Sequence, residues 1–141
     1  MKRFFLMAIF LLLASTAALP KPKPRSEQLM PRLVAQAQFV YVTSYDGPFW
    51  SANVLPEDRE AVSDVQSALM KWGKYIVVYE PGRADIILAV QRRGGEDVLA
   101  VYQRGSANPL WRGMVEGGLD RQELPLFTDF RKAVERAGAR K

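Results

Sequence analysis

Across residues 56–72 the apolar positions Val62, Val65, Leu69 and Trp72 recur every three or four residues, the repeat of a helix that buries one stripe and leaves the rest in water. Pro56 sits where a first-turn proline costs no hydrogen bond. Glu57, Asp58 and Glu60 lie at the end where the helix dipole favours negative charge, and Gly73, flanked by Lys71 and Lys74, supplies the stop. A single stripe of this kind needs a sheet beneath it. Residues 34–45 alternate, placing Phe39, Tyr41 and Thr43 on one face and Val40 and Val42 on the other, as a strand does. Residues 75–80, 85–92, 97–104 and 110–117 are short and rich in β-branched and aromatic side chains, and they are separated by PGRA, RGGE and GSANP. Such brief links are expected to join antiparallel neighbours, because a parallel return takes about a dozen residues or more. GGLDRQELP (117–125) reads as a loop, and 126–138 as a closing helix with Phe127, Phe130 and Val134 inward. The expected order is β-α-β-β-β-β-α. This is an α+β fold, one mainly antiparallel sheet of about five strands with helices on one face and the ionisable groups left in water.

The ends of the chain have a different character. Residues 1–18 carry Lys2 and Arg3, then an apolar run from Phe4, then small residues, the three-part layout of a cleavable export signal. An uncleaved amino-terminal anchor is the alternative. Residues 19–33 are rich in Pro and Lys and read as a spacer, leaving 34–138 as one α+β domain. The chain has no cysteine, so the domain has no disulfides, and a lipid attached through cysteine is excluded. Expected localisation is therefore periplasmic or secreted.

The formal charge of +5 sits in the tails. Between residues 26 and 135 there are twelve Lys and Arg against all fifteen Asp and Glu. A nucleic-acid partner, which would need a basic stripe on the folded face, is not expected. The basic tails are either plain solvated termini or a weak attraction to an anionic envelope surface.

Catalytic vocabulary is thin. Without histidine or cysteine the chain lacks the usual nucleophile–base pairs and the soft metal ligands, and no cofactor or metal is expected. In EPGRADIIL (80–88), Glu80 and Asp85 flank a Pro-Gly turn of expected type II, with Asp85 a strand-start residue bonding to a nearby amide. The acids of PEDRE (56–60) are explained by a helix start. Ser67 and Lys71 fall opposite the apolar stripe, and RRGGED (92–97) is a hairpin turn rather than a phosphate loop. What remains is aromatic: Phe49 and Trp50 in DGPFWSAN, and Trp111 beside Arg112 in NPLWRG, read as a possible partner-binding set because exposed aromatics near an arginine anchor interfaces.

The run VLPEDREAVSDVQSALMKWGKYIVVYEPGRADIILAV, followed by LAVYQRG and PLWRG, resembles a group of small, exported, uncharacterised bacterial proteins. In that group a helix ending in Trp-Gly-x-Tyr, here Trp72 to Tyr75, leads into a strand. An Ala-Asp-hydrophobic strand start follows, here Ala84-Asp85-Ile86, and then a strand near Leu110-Trp111-Arg112. The resemblance spans roughly residues 40–130. More distantly the chain is similar to α/β domains of envelope proteins such as the amino-terminal domain of TolB and outer-membrane lipoproteins, though it lacks their lipid-bearing cysteine. The resemblance implies fold and compartment and no specific activity.

The expectation is a non-catalytic exported module of the bacterial cell envelope that binds an envelope protein or polymer through its sheet edge or the Phe49/Trp50 loop. The alternative is a carboxylate-based hydrolase of a wall glycan, with Glu80, Asp85, Glu116 and Asp120 as candidate acids. A third reading is a surface-associated protein held by its basic tails.

Overall fold

A computed structural model describes residues 28–48 and 50–141, so the expected signal and most of the expected spacer lie outside the described residues. The elements run α1 (Arg32–Gln36), β1 (Phe39–Ser44), α2 (Pro56–Trp72), β2 (Ile76–Val78), β3 (Ile86–Gln91), β4 (Glu96–Gln103), β5 (Pro109–Glu116) and α3 (Pro125–Ala139). The strands form one five-stranded sheet in the order β2-β1-β3-β4-β5, mostly antiparallel, with the α-helices on one face. The fold class is the α+β one expected.

Helix α2 has the bounds its stripe requires, and Gly73 closes it in the left-handed conformation (φ 77°), its amide donating to the Leu69 carbonyl at 3.0 Å. The first strand starts later than the alternation from residue 34 suggested. Residues 35–38 alternate only Ala and Gln, a pattern that a single helical turn satisfies equally, and α1 instead buries Val34. Tyr75, buried, donates its hydroxyl to the Val34 carbonyl at 2.7 Å and so fixes that turn to the start of β2. Met30 is also buried in the core, so the packed unit begins before residue 34.

The link PGRA does not make a hairpin. β1 lies between β2 and β3 and is parallel to both, while the β3–β4 and β4–β5 pairs are the expected antiparallel ones. So short a link is not expected to make a parallel return, yet β2 has only three residues and ends level with Tyr41, so the chain need step back very little to begin β3 opposite Val40. The return is a 3-10 turn at Pro81–Arg83, with the Arg83 amide bonded to the Glu80 carbonyl (3.1 Å); Gly82 keeps a negative φ, so the type II turn is not formed. Moving across the sheet in the opposite sense to α2, the link passes over the opposite face, and both connections therefore have the same hand. There Ala84 packs on Tyr41 and Val78, covering apolar surface that no α-helix reaches.

Asp85 bonds to amides as expected, but to those of the distant β1 start: its Oδ2 accepts from the amides of Gln38 (2.9 Å) and Phe39 (3.0 Å). Those two bonds, Phe39's first, hold the carboxyl below the usual carboxylate range. The ionised form is thus favoured by folding. Its stabilisation is present above the unfolded pKa of about 3.9 and is lost as pH falls through the lowered folded value. Because Asp85 is exposed, Asp85→Ala should cost less than about 1 kcal/mol at pH 7. Urea unfolding at pH 7 and pH 2 checks this, with wild type and variant converging at the acid end.

The core on the helical face is built from Val40, Val42, Ile86, Leu88, Leu99 and Val101 of the sheet against Val62, Val65 and Leu69 of α2 and Phe127, Phe130 and Val134 of α3. Phe130 is its aromatic centre, with ring centroids of Trp72, Tyr75, Trp111 and Phe127 all 6.0–6.4 Å away.

Candidate functional site

Strand β5 ends the sheet, and no other described strand pairs with its outer side. Beside it an open groove of about 1500 Å³ runs between β5 and α3. Trp111, Val115, Leu126 and Ala137 give it an apolar floor, and Arg112, Arg136 and Arg140 stand with Asp129 and Glu96 around it. The floor depends on Gly113, where a Cβ would lie 2.8 Å from Leu126 and 2.9 Å from the Trp111 ring. The amino-terminal end of the described chain enters the same groove. The Arg112 amide points away from the sheet and donates to Oε1 of Gln28 at 3.1 Å, and the Arg140 guanidinium bonds the Met30 carbonyl.

The residues proposed for partner binding separate. Trp111 and Arg112 are strand neighbours and so point to opposite faces of the sheet. The Trp111 ring is buried against Phe130 and reaches the groove only along its edge, which corrects the expectation of an exposed aromatic. Arg112 lies on the helix-free face, its guanidinium 6.0 Å from the Tyr45 ring. Tyr45 in turn shares a hydroxyl–hydroxyl bond of 3.1 Å with Tyr102, and burial pushes the Tyr45 phenol upward. Trp50 is 72% exposed in the loop between β1 and α2, away from the residues that line the groove. Phe49 lies outside the described residues.

The four candidate acids are not brought together. Asp85 lines a small pocket with Gln38 and Arg104 and is committed to the β1 amides. Glu80 is exposed before the 3-10 turn, Glu116 ends β5 opposite Glu96, and Asp120 is exposed, accepting from the Gln122 amide. Among the described residues no group of three acids is placed to hold a metal ion.

Acids do gather elsewhere, contrary to the expectation that all ionisable groups stay in water. Asp58 is fully buried: Oδ1 accepts the Arg92 amide at 2.8 Å, and Oδ2 faces the Arg93 guanidinium at 2.7 Å and the Ser44 hydroxyl at 3.5 Å. Arg93 also pairs with Asp46, and the bond to Asp58 is the main reason its guanidinium is held charged more firmly than usual. Asp97, also buried, accepts the amides of Arg93 (2.9 Å) and Leu119 (2.8 Å). Arg92 bonds the Leu119 carbonyl and Asp64. This cluster ties the start of α2, the β3–β4 turn and the 117–125 loop into one clasp. Its acids are engaged by arginines and backbone amides of the same cluster, so its role is structural, while Nη1 of Arg92 is buried without a hydrogen-bond partner and lies 3.7 Å from Glu60.

Sequence reasoning missed it although two signals were present. Asp58 continues the α2 stripe one turn before Val62, and Asp97 shares the inward parity of Leu99 and Val101. No family model matches the chain, and no curated protein or solved structure matches it.

Proposed function

We propose that this protein is a non-catalytic interaction module of the bacterial cell envelope, periplasmic or secreted, that receives an extended segment of an envelope protein along β5 and its groove. The observation that supports this most is the conjunction at β5: an outer edge, an outward amide at Arg112 met by a side chain, and an apolar floor directly alongside. An edge strand supplies main-chain bonds, while the adjoining groove selects alternate side chains. On the α3 side of the groove Arg136 and Arg140 stand against the single acid Asp129, so the segment it suits is apolar with acidic flanks. The resemblance to exported proteins and the layout of residues 1–18 support the compartment. Trp50 is a secondary contact on the same reading.

The test places a photo-crosslinking residue at Arg112, with a control at Lys132 on the exposed side of α3, in cells making the full chain. A specific envelope-protein adduct from position 112, its attachment mapping to one apolar–acidic segment, is expected. An adduct pattern identical at both positions, or none at 112, overturns the proposal.

A further inference from the structure

Along the outer edge of β5, Arg112, Met114 and Glu116 stand at alternate positions, and the outward amide of Arg112 marks this set as the one whose main-chain groups point away from β4. Their side chains share the helix-free face, with Arg112 and Glu116 exposed and Met114 half-buried between them. The edge therefore reads cation, apolar, anion from one end to the other. A strand laid antiparallel on it is matched when it carries, in its own direction, a cation, an apolar residue and an anion at alternate positions, because opposite charges facing across a ladder stabilise it and like charges do not. The chain's own β5 is such a strand.

The match extends to every position from 112 to 116. A two-fold axis through Met114, normal to the sheet, sets Arg112 opposite the Glu116 of a second copy, Glu116 opposite its Arg112, and the two Met114 side chains against each other. The same register pairs Gly113 with Val115 at the positions where antiparallel strands come closest, so the residue without a side chain faces the branched one. Leu126 and the Trp111 ring fill the space over Gly113, and the incoming Val115 lands on that apolar surface. At the main chain, Oε1 of Gln28 already sits 3.1 Å from the Arg112 amide, in the place that the Glu116 carbonyl of the second copy would take. Gln28 and Leu29 are both exposed and give way to it. The Arg112 guanidinium, now 6.0 Å from the Tyr45 ring, is on the face where the incoming carboxylate arrives.

We infer that this chain forms a two-fold dimer in which two β5 strands pair antiparallel about Met114 and join two sheets into one. Such a contact uses the same patch on both copies and is complete with two of them. The strand at the other end of the sheet, β2, has only three residues, too short an edge to carry the assembly further. The dimer goes beyond the envelope-partner reading. Both use the β5 edge, so a foreign segment gains it by replacing the second copy.

Because the chain has no cysteine, one substitution reads the axis directly. Residues opposite each other in a hydrogen-bonded antiparallel pair have Cα atoms about 5.5 Å apart, inside the roughly 4.4–6.8 Å that a disulfide spans. Met114→Cys in the purified full chain should close nearly completely to a covalent dimer under mild oxidation. Arg112→Cys should stay monomeric, since its two copies lie roughly 13 Å apart along the strands at about 3.4 Å per residue. Sedimentation equilibrium reads the charge order. Arg112→Glu and Glu116→Arg should each raise the dimer dissociation constant about tenfold or more, because each turns two cross-strand attractions into repulsions. The two variants mixed together, or both substitutions in one chain, should restore wild-type association. A wild-type chain that sediments as a monomer throughout, equal crosslinking at 114 and 112, or a double variant that associates no better than the single ones would each overturn the dimer. None of these measurements includes an envelope protein, and an adduct of the chain with itself is distinct in mass from a foreign one, so the two proposals fail separately.

Discussion

Replacing Asp58 by Ala is expected to destabilise the domain by about 3–5 kcal/mol, the range for removing one member of a buried, hydrogen-bonded charge pair. The loss has three parts. Arg93 keeps its charge with only the surface-lying Asp46 as counter-ion, the Arg92 amide loses its acceptor, and the start of α2 is released from the β3–β4 turn. For a domain whose whole stability is of the order of 5–15 kcal/mol, this is a large fraction. Thermal and urea unfolding measure it. The discriminating comparison is the double variant Asp58→Ala with Arg93→Met, which should recover part of the loss because no unmatched guanidinium is left behind. An Asp58→Ala midpoint close to wild type would mean that the clasp is ornamental.

Phe130→Ala should cost about 3–5 kcal/mol, through the lost transfer energy and the cavity left among four aromatic rings. The ring is fully buried and touches Trp72 and Trp111, two of the three tryptophans, while Trp50 is exposed. The emission of the folded variant should therefore shift to the red, as water reaches indoles that the native core shields. Phe130→Leu, which keeps most of the volume, should fall below about 1.5 kcal/mol with little spectral change. A wild-type emission spectrum in Phe130→Ala would count against this ring as the centre of the core.

These two residues also mark how far the fold and the candidate site were legible from the amino-acid order. Phe130 was readable because it obeys the period of its helix, as do all the inward residues of α2 and α3. Asp58 obeys the same period, but a carboxylate is assigned to water unless its partner is known, and Arg93 lies 35 positions away. The strands and their approximate limits followed from alternation and turn residues. Their lateral order did not. A three-residue strand shortens the return path so far that a parallel crossover takes no more chain than a hairpin does, and local spacing does not distinguish the two. At the site, alternation alone places Trp111 and Arg112 on opposite faces. Which of the two faces α3 covers depends on packing between segments distant in sequence.

The position of β1 has a consequence for how this unit is inherited. It is the earliest of the described strands, yet it lies inside the sheet, and both of its neighbours are encoded after it. A gene truncated anywhere before β3 would specify a fragment whose principal strand has one whole side bare, while one lacking β1 would leave two separated pieces of sheet with a gap between them. A piece of this domain cut on either side of β1 is therefore left with unpaired strand edges, which only the whole sheet closes.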